Sequence, residues 1–190
     1  MLATVAVAAG ATSGVSAAKP PQFRVFKPVA DTYVTAARPR TNFGRSPVLR
    51  VDGSPETTAY LRFAPKKLRG KITSVTLLLH SSTSGRATYA VRYVDDDEWR
   101  ERALTYTNAP EHSLRYASSR AVARGVWTAV DVTSFMKKGG GDEVSLALTT
   151  RGTHALAFGS RESRYGPRLV VRFRPRDDVS ELVLDGSRRN

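Results

Sequence analysis

In LRVDGSPETTAYLRF, Leu49 to Phe63, two runs alternate apolar with polar side chains: Leu49 and Val51 against Arg50 and Asp52, then Leu61 and Phe63 against Tyr60 and Arg62. A period of two is the mark of a strand with one face buried. The same rhythm returns in Val75-Thr76-Leu77-Leu78-Leu79, at Val91 and Tyr93, at Trp127 and Val130, and in SLAL at Leu146 and Leu148. It closes in RLVVRFR, where Leu169, Val171 and Phe173 alternate with Arg168, Arg172 and Arg174. Gly, Pro, Asn and Asp separate the runs, so the expectation is an all-β, antiparallel β-sandwich. Helical periodicity is confined to Val132–Lys138, where Thr133 or Ser134 caps a turn that glycines 139 to 141 end. That helix is expected to be a connection rather than core.

The chain has 190 residues, enough for one domain with tails. Residues 1–18, MLATVAVAAGATSGVSAA, carry no charge and end in small side chains, which reads as a secretion signal, although no basic residue follows Met1. Residues 19–27 are taken as a leader segment, 28–174 as the sandwich and 175–190 as a C-terminal tail. No other apolar run is long enough to span a membrane, and a secreted or cell-surface monomer is expected. Cysteine is absent, which removes disulfides, thiolate nucleophiles and cysteine-held zinc. Thirty Lys and Arg against 17 acids give a formal charge of +13, a surface that favours polyanions.

Taken in order, DTYV at Asp31, TNFG at Thr41, LRVDG at Leu49, YLRF at Tyr60, EWRERALTYTNAP at Glu98, WTAVDVTSF at Trp127, SLAL at Ser145, FGSRES at Phe158 and PRLVV at Pro167 resemble the DNRLRE-domain family, carbohydrate-binding module family 96. The resemblance covers roughly residues 28 to 173. It implies a jelly-roll sandwich that binds polysaccharide without cutting it, with alginate the associated ligand. Tyr106 departs from the pattern, standing where tryptophan is the more usual residue.

The acidic run Asp95-Asp96-Asp97-Glu98 lacks the spacing of a calcium loop, and consecutive acids in extended chain point to opposite faces. It reads as a solvated loop closed by a buried Trp99, with Leu104 and Pro110 as further anchors and Asn108 making the turn. An exposed Trp99 stacking on a sugar is the alternative. His80, His112 and His154 form no closely spaced ligand pair, and Ser160 lacks a nucleophile elbow. No catalytic residue is assigned, and the protein is read as a non-enzyme. In a jelly roll whose terminal strands lie together, Asp31 and Glu162 would be neighbours. A structural calcium there is the one cofactor considered, against pairing of either carboxylate with Arg161 or Arg164.

If the apolar positions face inward, Arg50, Tyr60, Arg62 and Arg92 face outward from rigid strands, where guanidinium groups offer paired donors to a uronate or sulfate. Arg38 and Arg45, beside TNFG with Arg40, form a second basic group. The expected function is binding of an acidic polysaccharide such as alginate or another anionic wall polymer. A structural or adhesive surface protein is the alternative, and specific nucleic-acid binding has only charge behind it.

Overall fold

A computed structural model describes residues 20–65, 70–83, 87–139 and 143–175. The secretion signal read in residues 1–18, the tail beyond Pro175, and glycines 140 and 141 lie outside the described residues. Eleven strands follow in chain order: β1 Gln22–Phe26, β2 Ala30–Thr35, β3 Val48–Gly53, β4 Glu56–Phe63, β5 Gly70–His80, β6 Ala90–Val94, β7 Tyr116–Ser118, β8 Trp127–Asp131, β9 Val144–Thr149, β10 Leu156–Gly159 and β11 Arg168–Pro175. One α-helix among the described residues, α1, spans Thr133–Gly139 between β8 and β9, and a single 3-10 turn lies at Tyr106–Asn108. No helix among the described residues is long and apolar enough to cross a membrane.

The strands form two antiparallel sheets. One has the order β1-β11-β5-β8, the other β10-β3-β4-β9-β6-β7 with β2 paired to β4. Together they make a jelly-roll-like β-sandwich. The apolar members of the alternating runs fill one core between the sheets: Leu49, Val51, Leu61, Phe63, Leu77, Leu79, Val91, Leu146, Leu148, Leu169 and Val171 all lie in it. Each such side chain contributes roughly 1.5–3 kcal/mol of apolar burial, which is what holds the register of every strand.

Three expectations change. The segment 19–27 contains a strand of the fold: β1 pairs with β11 from Gln22↔Phe173 to Phe26↔Leu169, and Phe26 packs on the core. The helix α1 is also more than a connection, because Phe135 is buried in the main core. The turn is entered through Asp131, whose carboxylate accepts the Thr133 N–H at 2.8 Å, while the Thr133 hydroxyl accepts the Val75 N–H at 2.8 Å instead of capping.

The two sheets differ in their outer faces. That of the four-stranded sheet is open, with Phe23 67% and Val25 51% exposed on β1. The larger sheet is covered on both sides along β2, β4 and β9. Ala30, Val34, Tyr60, Val94 and Ala147 meet Trp99 and Leu104 in a second apolar cluster, laid over the sheet by the segment between β6 and β7. A sheet buried on both faces has no outward polar side for a period of two to reveal.

Candidate functional site

That covering segment decides where the expected ligand residues lie. Tyr60 is only 3% exposed; its ring meets Trp99 edge-on at 6.1 Å and its hydroxyl donates to the Pro110 carbonyl at 2.9 Å, with burial pushing the phenol up to about 12. It has no face to offer a ligand. Arg62 is half-buried beneath the same segment, bonded to the Asp97 carbonyl, paired with Glu143 at 3.6 Å and lying 5.4 Å from the Trp99 ring. Both residues are therefore scaffold. The indole of Trp99 donates to Ser145 Oγ at 3.0 Å and is 5% exposed, so the anchoring role holds and the stacking alternative does not. Asn108 makes the turn as expected, accepting the Thr105 N–H at 2.7 Å and donating to the Ala103 carbonyl at 3.1 Å. At the departing position, the Tyr106 hydroxyl donates to Glu56 at 2.9 Å.

Arg38, Arg45 and Arg50 are exposed, as expected, but the cation–ring contacts among the described residues fall on Arg62, Arg92, Arg164 and Arg168 instead. Arg92 is partly committed. It donates to Thr149 Oγ1 at 3.0 Å and to the Ser113 and Leu114 carbonyls at 2.9 and 2.8 Å, and its guanidinium lies 5.0 Å from the Tyr116 ring. With Tyr116, Arg151 and His154 it lines a groove of about 400 Å³ at the uncovered end of the larger sheet.

The densest gathering of cations and rings is elsewhere. Between the end of β1 and the loop entering β11, Lys27, Arg161, Arg164 and Arg168 line a cleft of about 330 Å³ with Ser163 and Pro167, and no acidic side chain lines it. The cleft runs into a row of rings on the open sheet. His80 and Trp127 are register partners on β5 and β8, 5.3 Å apart and edge-to-face. His80 also stacks on Tyr165 at 4.4 Å. Arg168, opposite Leu78 on the adjoining strand, brings its guanidinium 4.6 Å from the Trp127 ring, and Arg164 lies 5.6 Å from Tyr165. The loop reaches this position because it folds tightly on β10: a Cβ at Gly159 would stand 2.5 Å from the Tyr165 carbonyl oxygen. A surface of this kind combines anion-binding donors with flat apolar faces. None of the six expected ligand residues belongs to it. Its sequence signal was present in SRESRYGPRLVVRFR, where Arg164 and Tyr165 are separated only by Gly166 and Pro167 from the strand that opens with Arg168.

Asp31 and Glu162 are brought together, and Glu101 joins them. Each offers a carboxylate oxygen within 4.8 Å of the others. The Asp31 N–H donates to Glu101 Oε1 at 2.9 Å, the Arg161 N–H donates to Asp31 Oδ2 at 2.7 Å, and Ser160 Oγ donates to Glu162 Oε2 at 2.9 Å. The Arg161 guanidinium pairs with Glu162 at 3.2 Å and Glu101 at 3.5 Å and bonds the Val29 carbonyl. Burial above all, with the neighbouring glutamates, lifts the Asp31 carboxyl from 3.8 to about 8. Four of the words that carry the resemblance meet here. Asn42 of TNFG donates to the Glu101 and Leu104 carbonyls at 2.8 and 2.7 Å, and a Cβ on Gly44 would lie 2.2 Å from the Glu101 carbonyl oxygen, so only glycine permits the approach. DTYV supplies Asp31, EWRER supplies Glu101 and FGSRES supplies Glu162.

Comparison with known families gives one match: the profile of carbohydrate-binding module family 96 covers residues 22–173. No curated protein matches the chain significantly.

Proposed function

The chain belongs to carbohydrate-binding module family 96, and from that footing we propose that it is an exported, non-catalytic module for an acidic polysaccharide, alginate or a similar uronate polymer. The observation that carries the reading is the cleft of Lys27, Arg164 and Arg168, walled by the ion-paired Arg161 and adjoining the rings of Trp127 and Tyr165. Guanidinium groups bind a sugar carboxylate through paired donors, and the rings pack on the sugar's C–H face. Export rests on the uncharged, small-residue segment 1–18. Exposed ion pairs contribute only about 0.2–1 kcal/mol each, so affinity comes from several weak contacts along the polymer and falls as salt rises.

The test is titration calorimetry in sodium chloride buffer with alginate, a neutral glucan and single-stranded DNA of matched length. Alginate is expected to bind best. Arg168→Ala and Trp127→Ala are each expected to weaken it roughly three- to ten-fold, the loss from a contact of about 1 kcal/mol, and Arg120→Ala, an exposed arginine outside the cleft, to change it little. Equal losses from Arg168→Ala and Arg120→Ala, or equal affinity for DNA, would mean that net charge alone attracts the polymer. The alternative of an adhesive surface protein draws on exposed Phe23 and Val25. It predicts that Phe23→Lys abolishes partner binding while alginate is not bound at all.

A further inference from the structure

We propose that Asp31, Glu101 and Glu162 form a calcium site that ties β2 to the two loops carrying the glutamates, independently of any sugar ligand. Three carboxyl groups within 4.8 Å cannot all ionise without repelling one another, and the cations beside them do not answer all three. Arg161 reaches Glu101 and Glu162 but gives Asp31 only its backbone N–H, while Arg102, itself largely exposed, reaches Glu101 at 3.7 Å. The decisive atom is Asp31 Oδ1. Asp31 is 1% exposed, its Oδ2 accepts the Arg161 N–H, and its Oδ1 is buried with no hydrogen-bond partner. A buried carboxylate oxygen without a donor is rare in folded proteins and asks for a water or an ion.

The donor set selects the ion. All three ligands are hard oxygens, with no histidine or cysteine in the cluster, which disfavours zinc and its neighbours. Two oxygens bound to one ion stand at most twice the metal–oxygen distance apart, about 5 Å for calcium and about 4 Å for magnesium. The oxygens lie within 4.8 Å of one another, inside the calcium limit, and calcium's flexible geometry tolerates an irregular carboxylate set that the near-ideal octahedron of magnesium does not. Three carboxylates binding singly or in pairs supply three to six oxygens, and water completes the shell on the side of the partly exposed Glu162. Calcium takes the place of the Arg161 guanidinium between the two glutamates, and the Arg161 backbone N–H stays on Asp31.

Thermal unfolding of the full chain in chelator, calcium and magnesium tests this. Calcium at a free concentration about a hundred times its dissociation constant is expected to raise Tm by roughly 5–10 °C. Glu101→Gln and Glu162→Gln are expected to lose most of that rise, and Glu111→Gln, outside the cluster, to keep it. Should the two site variants not fold, terbium emission from the unmodified protein decides, because Trp99 lies two residues from Glu101 and can sensitise a bound lanthanide. Saturable one-to-one emission displaced by calcium supports the site. A Tm indifferent to calcium, an equal rise from magnesium, variants that respond like the unmodified chain, or emission that never saturates would overturn it.

Discussion

Trp99 ties its segment to two strands: its ring meets Tyr60 and Arg62 of β4, and its N–H holds Ser145 of β9. Trp99→Phe keeps most of the apolar area but leaves the buried Ser145 hydroxyl without its donor, so a loss of about 1–3 kcal/mol is expected in urea denaturation. Gly44→Ala acts through shape alone, since its methyl would collide with the Glu101 backbone, and about 1–3 kcal/mol is expected there too. Asp31 gives a pH signature in calcium-free protein. Glu101, Glu162 and Arg161 face it, and its folded value of about 8 stands above the 3.8 of an exposed carboxyl. Between those values the unfolded chain has released a proton that the folded chain keeps, so stability falls as pH rises from about 4 to about 8 and levels off above. Asp31→Asn should flatten that slope in denaturation curves taken across the range. At this scale the acidic word was legible as scaffold, since a tryptophan beside charged residues and a turn-forming asparagine describe an anchored loop. The role of Glu101 was not, because its partners stand 70 residues before it on β2 and 61 after it at Glu162.

Among the elements, β4 and β9 show what alternation can and cannot tell. Leu61 and Phe63, and Leu146 and Leu148, were legible as inward residues because large apolar side chains recur at every second position, although both strands are buried almost throughout. Tyr60 and Arg62 also alternate, yet the segment from β6 to β7 lies on them, and nothing within β4 announces that cover. On β11 the same alternation is an open face, so Arg168 and Arg172 remain exposed. β1 was missed because its apolar Phe23 and Val25 lie on the exposed face and only Phe26 packs on the core. Its contribution is largely to close the backbone edge of β11. Deleting residues 20–27 is therefore expected to lower Tm and, by baring the edge of β11, to promote association detectable by size-exclusion chromatography. Phe23→Lys, on the exposed face, should alter stability by no more than about 0.5 kcal/mol.

For the whole molecule, the sandwich was legible because repeated short alternating runs without helical periodicity leave few other architectures. Strand order was not, since pairings such as β4 with β9 and β5 with β11 join residues far apart in the chain. A chain ending before β11, at residue 167, is expected to remain unfolded, with rapid proteolysis and no cooperative thermal transition, because β11 is the central link between β1 and β5. The pairing of β1 with β11 also sets an order in time. About 150 residues separate Gln22 from Phe173, so at a synthesis rate of 5–20 residues per second the first strand made waits roughly 8–30 s for its partner to emerge. During that interval the growing chain has no completed sandwich, and its apolar runs stay within reach of whatever binds an unfinished chain.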